Sequence, residues 1–190
     1  MMLKTIVYDW GGLNVWLFRH IHPDAATAFD TIMLLGSVIG NYWNFPIVLV
    51  LAGVGRHLRH DALPRLRMWA VGFLMLSVAV TALKIGTAMP RPSVALAGVQ
   101  VLGGLDSPYG FPSGHAAFAM WVAATLWPYA GRRSRAVLGL TAFWVGLSRI
   151  WLGAHFPADV LAGYLTGYGA AWLARQTTLP RQRRWFSRET

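Results

Sequence analysis

The chain has no cysteine. That excludes a disulfide framework, a thiolate metal site and a cysteine nucleophile, and it leaves the redox compartment unmarked. Charge is scarce as well: 13% of the 190 residues are Asp, Glu, Lys or Arg, about half of the roughly 25% of a soluble domain. Acids are rarest, seven against 17 Lys and Arg. With so few carboxylates no Asp/Glu cluster is at hand to hold Mg²⁺. No secretory signal is expected either, because Lys4, Asp9, Gly11 and Gly12 interrupt the apolar stretch that one requires. Internal repeats and low-complexity segments are absent.

What is present is apolar: 55% of the residues, with ten Trp, a side chain that favours membrane interfaces. The length suits one domain over 1–190. Leu13, Trp16, Leu17 and Ile21 recur at helical spacing, so 1–30 reads as an N-terminal segment holding a helix that lies in the interface. Apolar runs then follow at 31–55, 68–89, 113–130, 136–151 and 156–174, each of a length to span or nearly span hydrocarbon. They are separated by a polar connector at 56–67, a Gly- and Pro-rich loop at 93–111 and a tight basic turn at 131–135. The expected fold is all-α: an integral membrane helical bundle of about five transmembrane helices, or six if the N-terminal third supplies another.

The net charge of +10 suits a nucleic acid or a membrane, and placement decides. Four Arg fall in the 56–67 connector, three in the 131–135 turn and five from Arg175 onward. Five spans put these twelve on one side, which is therefore cytoplasmic, with 176–190 as a basic cytoplasmic tail. The charge marks orientation, and no interleaved basic–aromatic surface for nucleic acid is found. The remaining five are Lys4, Arg19, Lys84, Arg91 and Arg149. Three of these belong to motif blocks at the non-cytoplasmic ends of the spans.

Those blocks are Lys84-x6-Arg91-Pro92, Pro112-Ser113-Gly114-His115 and Ser148-Arg149-x5-His155-x3-Asp159. His155 and Asp159, four apart, share one helix face. The carboxylate can fix the imidazole tautomer and leave the other nitrogen as a lone-pair nucleophile; a buried pair that only packs the helix is the competing reading. Ser113 is placed to cap a helix whose first N–H groups bind an anion, and His115 sits in that first turn, where it can protonate a leaving oxygen. An ordinary turn and cap would look the same in isolation. Lys84, Arg91 and Arg149 match the three equatorial oxygens of a phosphoryl group in transit, although cations snorkelling at helix ends are common.

Taken together, the three blocks resemble the signature of the type 2 phosphatidic acid phosphatase family, related to vanadium-dependent haloperoxidases and bacterial acid phosphatases. The resemblance covers about 68–175, the expected catalytic core. It implies that His155 attacks phosphorus to form a phosphohistidine, that Asp159 orients it, and that His115 protonates the leaving group and then activates water. It implies that Lys84, Arg91, Ser113, Gly114 and Arg149 hold the phosphate oxygens, without a metal. Pro92, Pro112 and Ser148 are the remaining signature positions, Ser148 supporting the site from behind.

The expected function is a phosphatase acting on a lipid phosphate or diphosphate headgroup at the periplasmic face of the inner membrane. Candidate substrates are undecaprenyl diphosphate, phosphatidylglycerol phosphate, phosphatidic acid and a lipid A phosphate. A lipid-to-lipid phosphotransferase using the same residues, and a phospholipid-binding or transport protein without turnover, are the alternatives. Asp106 and Tyr109 of the 93–111 loop are expected to border the headgroup. His57 with His60, and His20 with His22 and Asp24, read as loop residues rather than metal ligands. Gly36 and Gly40 are spaced for close helix packing, and so are Gly163 and Gly167. We expect the second pair to pack within the chain, with a homodimer contact as the other reading.

Overall fold

Proline, glycine and asparagine decide where the helices of this chain stop. The computed structural model describes residues 9–45, 62–105 and 107–178, and among these it forms seven α-helices and no β-strand. Helix α1 (Leu13–Ile21) starts at Gly12, whose φ of 95° no other residue adopts easily. It follows the expected N-terminal periodicity, but Leu13 and Trp16 are exposed while Asn14 and Phe18 are buried. The face that packs is the one carrying Asn14.

Helix α2 (Asp30–Ile39) ends where the expected 31–55 helix should have run on. Asn41 turns the chain, its side chain accepting from Trp43 N at 2.9 Å. Asn44 Nδ2 then donates back to Val38 O at 2.7 Å. Two side chains that compete for backbone groups thus close the helix, and residues 46–55 lie outside the described region. Gly36 and Gly40 let α2 lie directly on Trp144, Val145 and Ser148.

Helix α3 (Ala62–Thr87) is the long one, and it includes the end of the connector that was expected to be loop. It stops before Pro90. A single turn, α4 (Pro92–Ala95), follows. Helix α5 (Gly114–Leu126) is shorter than the 113–130 run, because Pro128 tightens its end into a 3₁₀ turn at Trp127–Tyr129. Helix α6 (Arg132–Trp151) takes in the basic turn expected at 131–135, and only Gly131 turns. Helix α7 (Pro157–Thr178) completes the bundle.

Helix α7 packs on α5 and α3, and α6 packs on α2 and α5. Gly163 and Gly167 lie against the α5 backbone at Ser113 and Ala117. They therefore serve packing within the chain, and their faces are not open to a second copy. Trp121 is fully buried at the centre of one core cluster, its ring against Phe45, Trp69, Phe73 and Phe118. A second cluster, Phe18, Ala116, Ile150, Phe156 and Val160, underlies the site end.

The exterior is apolar: Val137, Leu140 and Phe143 on α6, and Leu161, Leu165 and Trp172 on α7, are all exposed. A surface of that kind suits contact with hydrocarbon rather than water. By length and composition alone one described helix, Pro64–Thr87, is long and apolar enough to cross a membrane, with a mean hydropathy of 1.9. The others carry arginines, as α6 does at both ends, or are short, as α5 is at about 20 Å. Six of the described basic residues divide between the two ends of the bundle. Arg65 lies over the Tyr129 ring, Arg135 over Trp127, and Arg175 donates to Ala124 O. Lys84, Arg91 and Arg149 lie at the opposite helix ends.

Candidate active site

The loop from α6 to α7 carries His155. Gly153, at φ 73°, turns the chain where a Cβ would strike the Gln100 carbonyl. Ala154 N and His155 N both donate to Arg149 O, at 3.0 and 3.1 Å. Pro157 then opens α7, and Asp159 reaches back two ways. Its Oδ2 accepts from Phe156 N at 2.9 Å and lies 3.4 Å from His155 Nδ1. The first contact is the reciprocal arm of a capping box; the second is the orienting contact expected from the i, i+4 spacing.

Arg91 approaches the other imidazole nitrogen. Its Nη1 is 3.3 Å from His155 Nε2 and donates to Ala154 O at 2.9 Å. A guanidinium has donors and no acceptor. His155 Nε2 is therefore the unprotonated nitrogen, and the proton sits on Nδ1, towards Asp159. Burial, and then the charges of Arg91, Arg149 and Lys84, hold His155 well below the ordinary imidazole range, partly opposed by a hydrogen bond to the Gly110 backbone. The ring is neutral at pH 7, with its lone pair on Nε2.

The other two blocks converge on the same point. Ser113 caps α5, its side chain accepting from Ala116 N, and Ser113 N donates to Asp159 O at 2.9 Å. Lys84 Nζ donates to Tyr109 O at 2.9 Å. Arg91 Nε donates to Ser107 O at 2.7 Å. Pro90 pairs with Tyr109 in an isolated bridge, so the 107–110 segment is fastened over the end of α3. Arg149 is buried and donates to Ser37 Oγ. Ser148 Oγ donates to Val145 O at 2.6 Å inside α6 and supports rather than lines the site. Pro92 and Pro112 are fully buried.

One cavity of about 370 Å³ is lined by Lys84, Arg91, Gly114, His115 and His155 at one end. It continues between α3 and α5 along Ser77, Leu76, Phe73 and Phe118 to Tyr42. Tyr109 and Ser107 border its polar end. Asp106 lies outside the described residues, as do His57 and His60. His20 and His22 take separate backbone partners, Trp16 O and Trp151 O. Among the described residues no three His, Asp or Glu gather as a metal set.

Three polar residues of the site end had not stood out: Asn14, Ser37 and Ser107. Ser37 interrupts the apolar face of α2, and Asn14 interrupts an otherwise apolar stripe on α1. A polar residue on a packing face is the signal each leaves.

The PAP2 superfamily model matches residues 67–183. The chain is 27% identical over 172 residues to an undecaprenyl-diphosphatase of Sulfolobus acidocaldarius, covering 87% of this chain and 78% of that one. It is 39% identical over 74 residues to a lipid A 1-phosphatase of Rhizobium johnstonii, covering 36% of this chain and 27% of that one. The crystal structure of Aquifex aeolicus LpxE superposes with a TM-score of 0.76 at 28% identity, covering 86% of this chain and 95% of that one.

Proposed function

The chain belongs to the PAP2 superfamily, and from that premise we propose that it is a membrane phosphatase acting on a lipid phosphate or diphosphate headgroup. The observation that carries this reading is the form of the cavity. Its polar end holds two cations and two imidazoles; its other end is a trough of Phe73, Leu76 and Phe118. An amphiphile fits such a space head first, with its chain along α3, where apolar burial contributes about 25 cal/mol per Å².

The chemistry follows from the positions. The Nε2 lone pair of His155 attacks phosphorus as the bond to the leaving oxygen breaks, and His115, which takes up a proton when the negative headgroup binds beside it, gives that proton to the leaving oxygen. Asp159 holds the Nδ1 proton and stabilises the positive charge that develops on the ring. Lys84, Arg91, Arg149 and the α5 N-terminus at Ser113-Gly114 hold the phosphoryl oxygens. His115 then takes a proton from water, whose oxygen attacks phosphorus as the P–N bond breaks, which releases phosphate and returns the lone pair to His155 Nε2. The relatives carry phosphatase names, which favours water over a second lipid as acceptor and turnover over simple binding.

The test is phosphate release by the purified protein in detergent from phosphatidic acid and a polyprenyl diphosphate in parallel, with His155→Ala as the control. Wild type should release phosphate from at least one, and His155→Ala should lose at least about 10³-fold. Release by His155→Ala at the wild-type rate sinks the reading.

We place the site at the periplasmic face of the inner membrane, in a bundle of five spans. The clustering of Arg65, Arg135 and Arg175 at the opposite end supports that orientation. With no native cysteine, single substitutions report sidedness directly. In spheroplasts an impermeant maleimide should label Ala25→Cys and not Ser134→Cys; the reverse pattern inverts the topology.

A further inference from the structure

Asn14 is 1% exposed, and its Oδ1 accepts from Ala158 N at 2.9 Å. Ala158 is the second residue of α7. Its N–H is one of the donors that a helix start leaves without an internal partner, and an N-cap side chain ordinarily accepts from that position or the next. Here the capping position is Phe156, which has no acceptor to offer. Asn14 makes the bond instead, from a helix 144 residues away.

The rest of the stripe continues the grip. One turn on from Asn14, Phe18 is fully buried and meets the Phe156 ring edge-on at 5.3 Å. One turn further, His22 stacks on Phe18 at 5.1 Å. Its Nδ1 is 2.8 Å from Trp151 O. A carbonyl only accepts, so Nδ1 donates. Residues 14, 18 and 22 thus hold the chain at Trp151, Phe156 and Ala158, on both sides of His155.

We propose that Asn14 is a positioning residue for the nucleophile. Capping α7 at Ala158 fixes the first turn of that helix, and with it the Asp159 carboxylate. The His155 Nδ1 to Asp159 Oδ2 contact, at 3.4 Å, is at the long end for a hydrogen bond. A shift of a few tenths of an ångström in that turn breaks it, and the imidazole then loses the carboxylate that orients the ring and stabilises the positive charge it gains on attack. Asn14 touches no reacting atom; it acts through Asp159. The proposal rests on the phosphatase reading above and adds the N-terminal helix to its machinery.

The test compares kcat and KM of the full-length protein in detergent for wild type, Asn14→Ala, Asn14→Ser, Asn14→Asp and His155→Ala. The substrate is whichever of phosphatidic acid and a polyprenyl diphosphate the wild type turns over faster. Asn14→Ala should lower kcat by about ten- to a hundredfold, the cost of a misplaced catalytic group, with KM within about twofold. Asn14→Asp keeps an acceptor in place and suits a helix N-terminus, so it should recover kcat to within about threefold of wild type. Wild-type kcat in Asn14→Ala, a change confined to KM, or no recovery in a folded Asn14→Asp overturns the proposal. If Asn14→Ala does not fold, Asn14→Ser, with a shorter reach, carries the test: lower kcat at unchanged KM supports the proposal and wild-type kcat overturns it. Phosphate release by His155→Ala at the wild-type rate overturns the phosphatase reading itself. An inactive His155→Ala beside a fully active Asn14→Ala overturns only the positioning role.

Discussion

Arginine serves the two ends of this bundle in different ways. At the site end Arg91 and Arg149 are each 2% exposed, and the Arg91 fork reaches Ser107 O, Ser107 Oγ, Ala154 O and the His155 ring. At the other end Arg135 is exposed over the Trp127 ring at 5.8 Å, and Arg65 sits over Tyr129 at 4.8 Å. Taking a guanidinium out of water costs several kcal/mol unless its N–H groups find acceptors. For Arg91 the acceptors include Ser107 O, Ser107 Oγ and Ala154 O. The difference separates buried guanidiniums held by polar acceptors at the site end from guanidiniums laid over aromatic rings at the other.

Swapping Arg for Lys at each end breaks or sharpens that contrast. Arg91→Lys keeps the charge and loses the fork. Two charge-assisted hydrogen bonds at about 1.5 kcal/mol each predict a fall in kcat/KM of about 100-fold. Arg135→Lys should leave kcat/KM within about twofold, since an exposed cation over a ring contributes only about 0.5–1 kcal/mol. Equal losses at the two ends would erase the distinction, as would no loss at Arg91.

The site end was more legible than the fold around it, for physical reasons. His155 and Asp159 announce themselves because i, i+4 is a fixed geometry on any helix. Ser113 was readable as a cap because a Ser before an apolar run has few other uses. The gathering of Arg65, Arg135 and Arg175 at one end was readable because charge counting needs only the order of the runs. The end of α2 was not, because Asn41 and Asn44 turn the chain with side-chain hydrogen bonds, where hydropathy sees only an uncharged run. The role of Asn14 was not, because its partner, Ala158 N, is a backbone group far away in sequence. The approach of Arg91 to the His155 ring was equally hidden. It depends on which Arg91 nitrogen reaches which imidazole nitrogen, and spacing is silent on that.

The smallest expected effect concerns His155 as a charge rather than as a nucleophile. Burial and the cations of the same end hold its pKa below the ordinary value in the folded protein. The unfolded chain keeps the ordinary value, about 6.5. Above that pH neither state binds the proton, and the neutral ring costs nothing. Below it the unfolded state takes up the proton first, so stability falls as pH falls, by at most about 1.4 kcal/mol per pH unit. In His155→Asn this contribution is gone, while every group outside the pocket titrates as before. Thermal midpoints measured in detergent from pH 7.5 to 5 should therefore fall more steeply for wild type than for His155→Asn, with the two curves diverging below about pH 6.5. Arg135→Lys exchanges one exposed cation for another, so it should run parallel to wild type throughout. Parallel curves for His155→Asn as well would mean that the folded protein takes up this proton as readily as the unfolded chain, so that below about pH 6.5 the fold would not keep the Nε2 lone pair free to attack phosphorus.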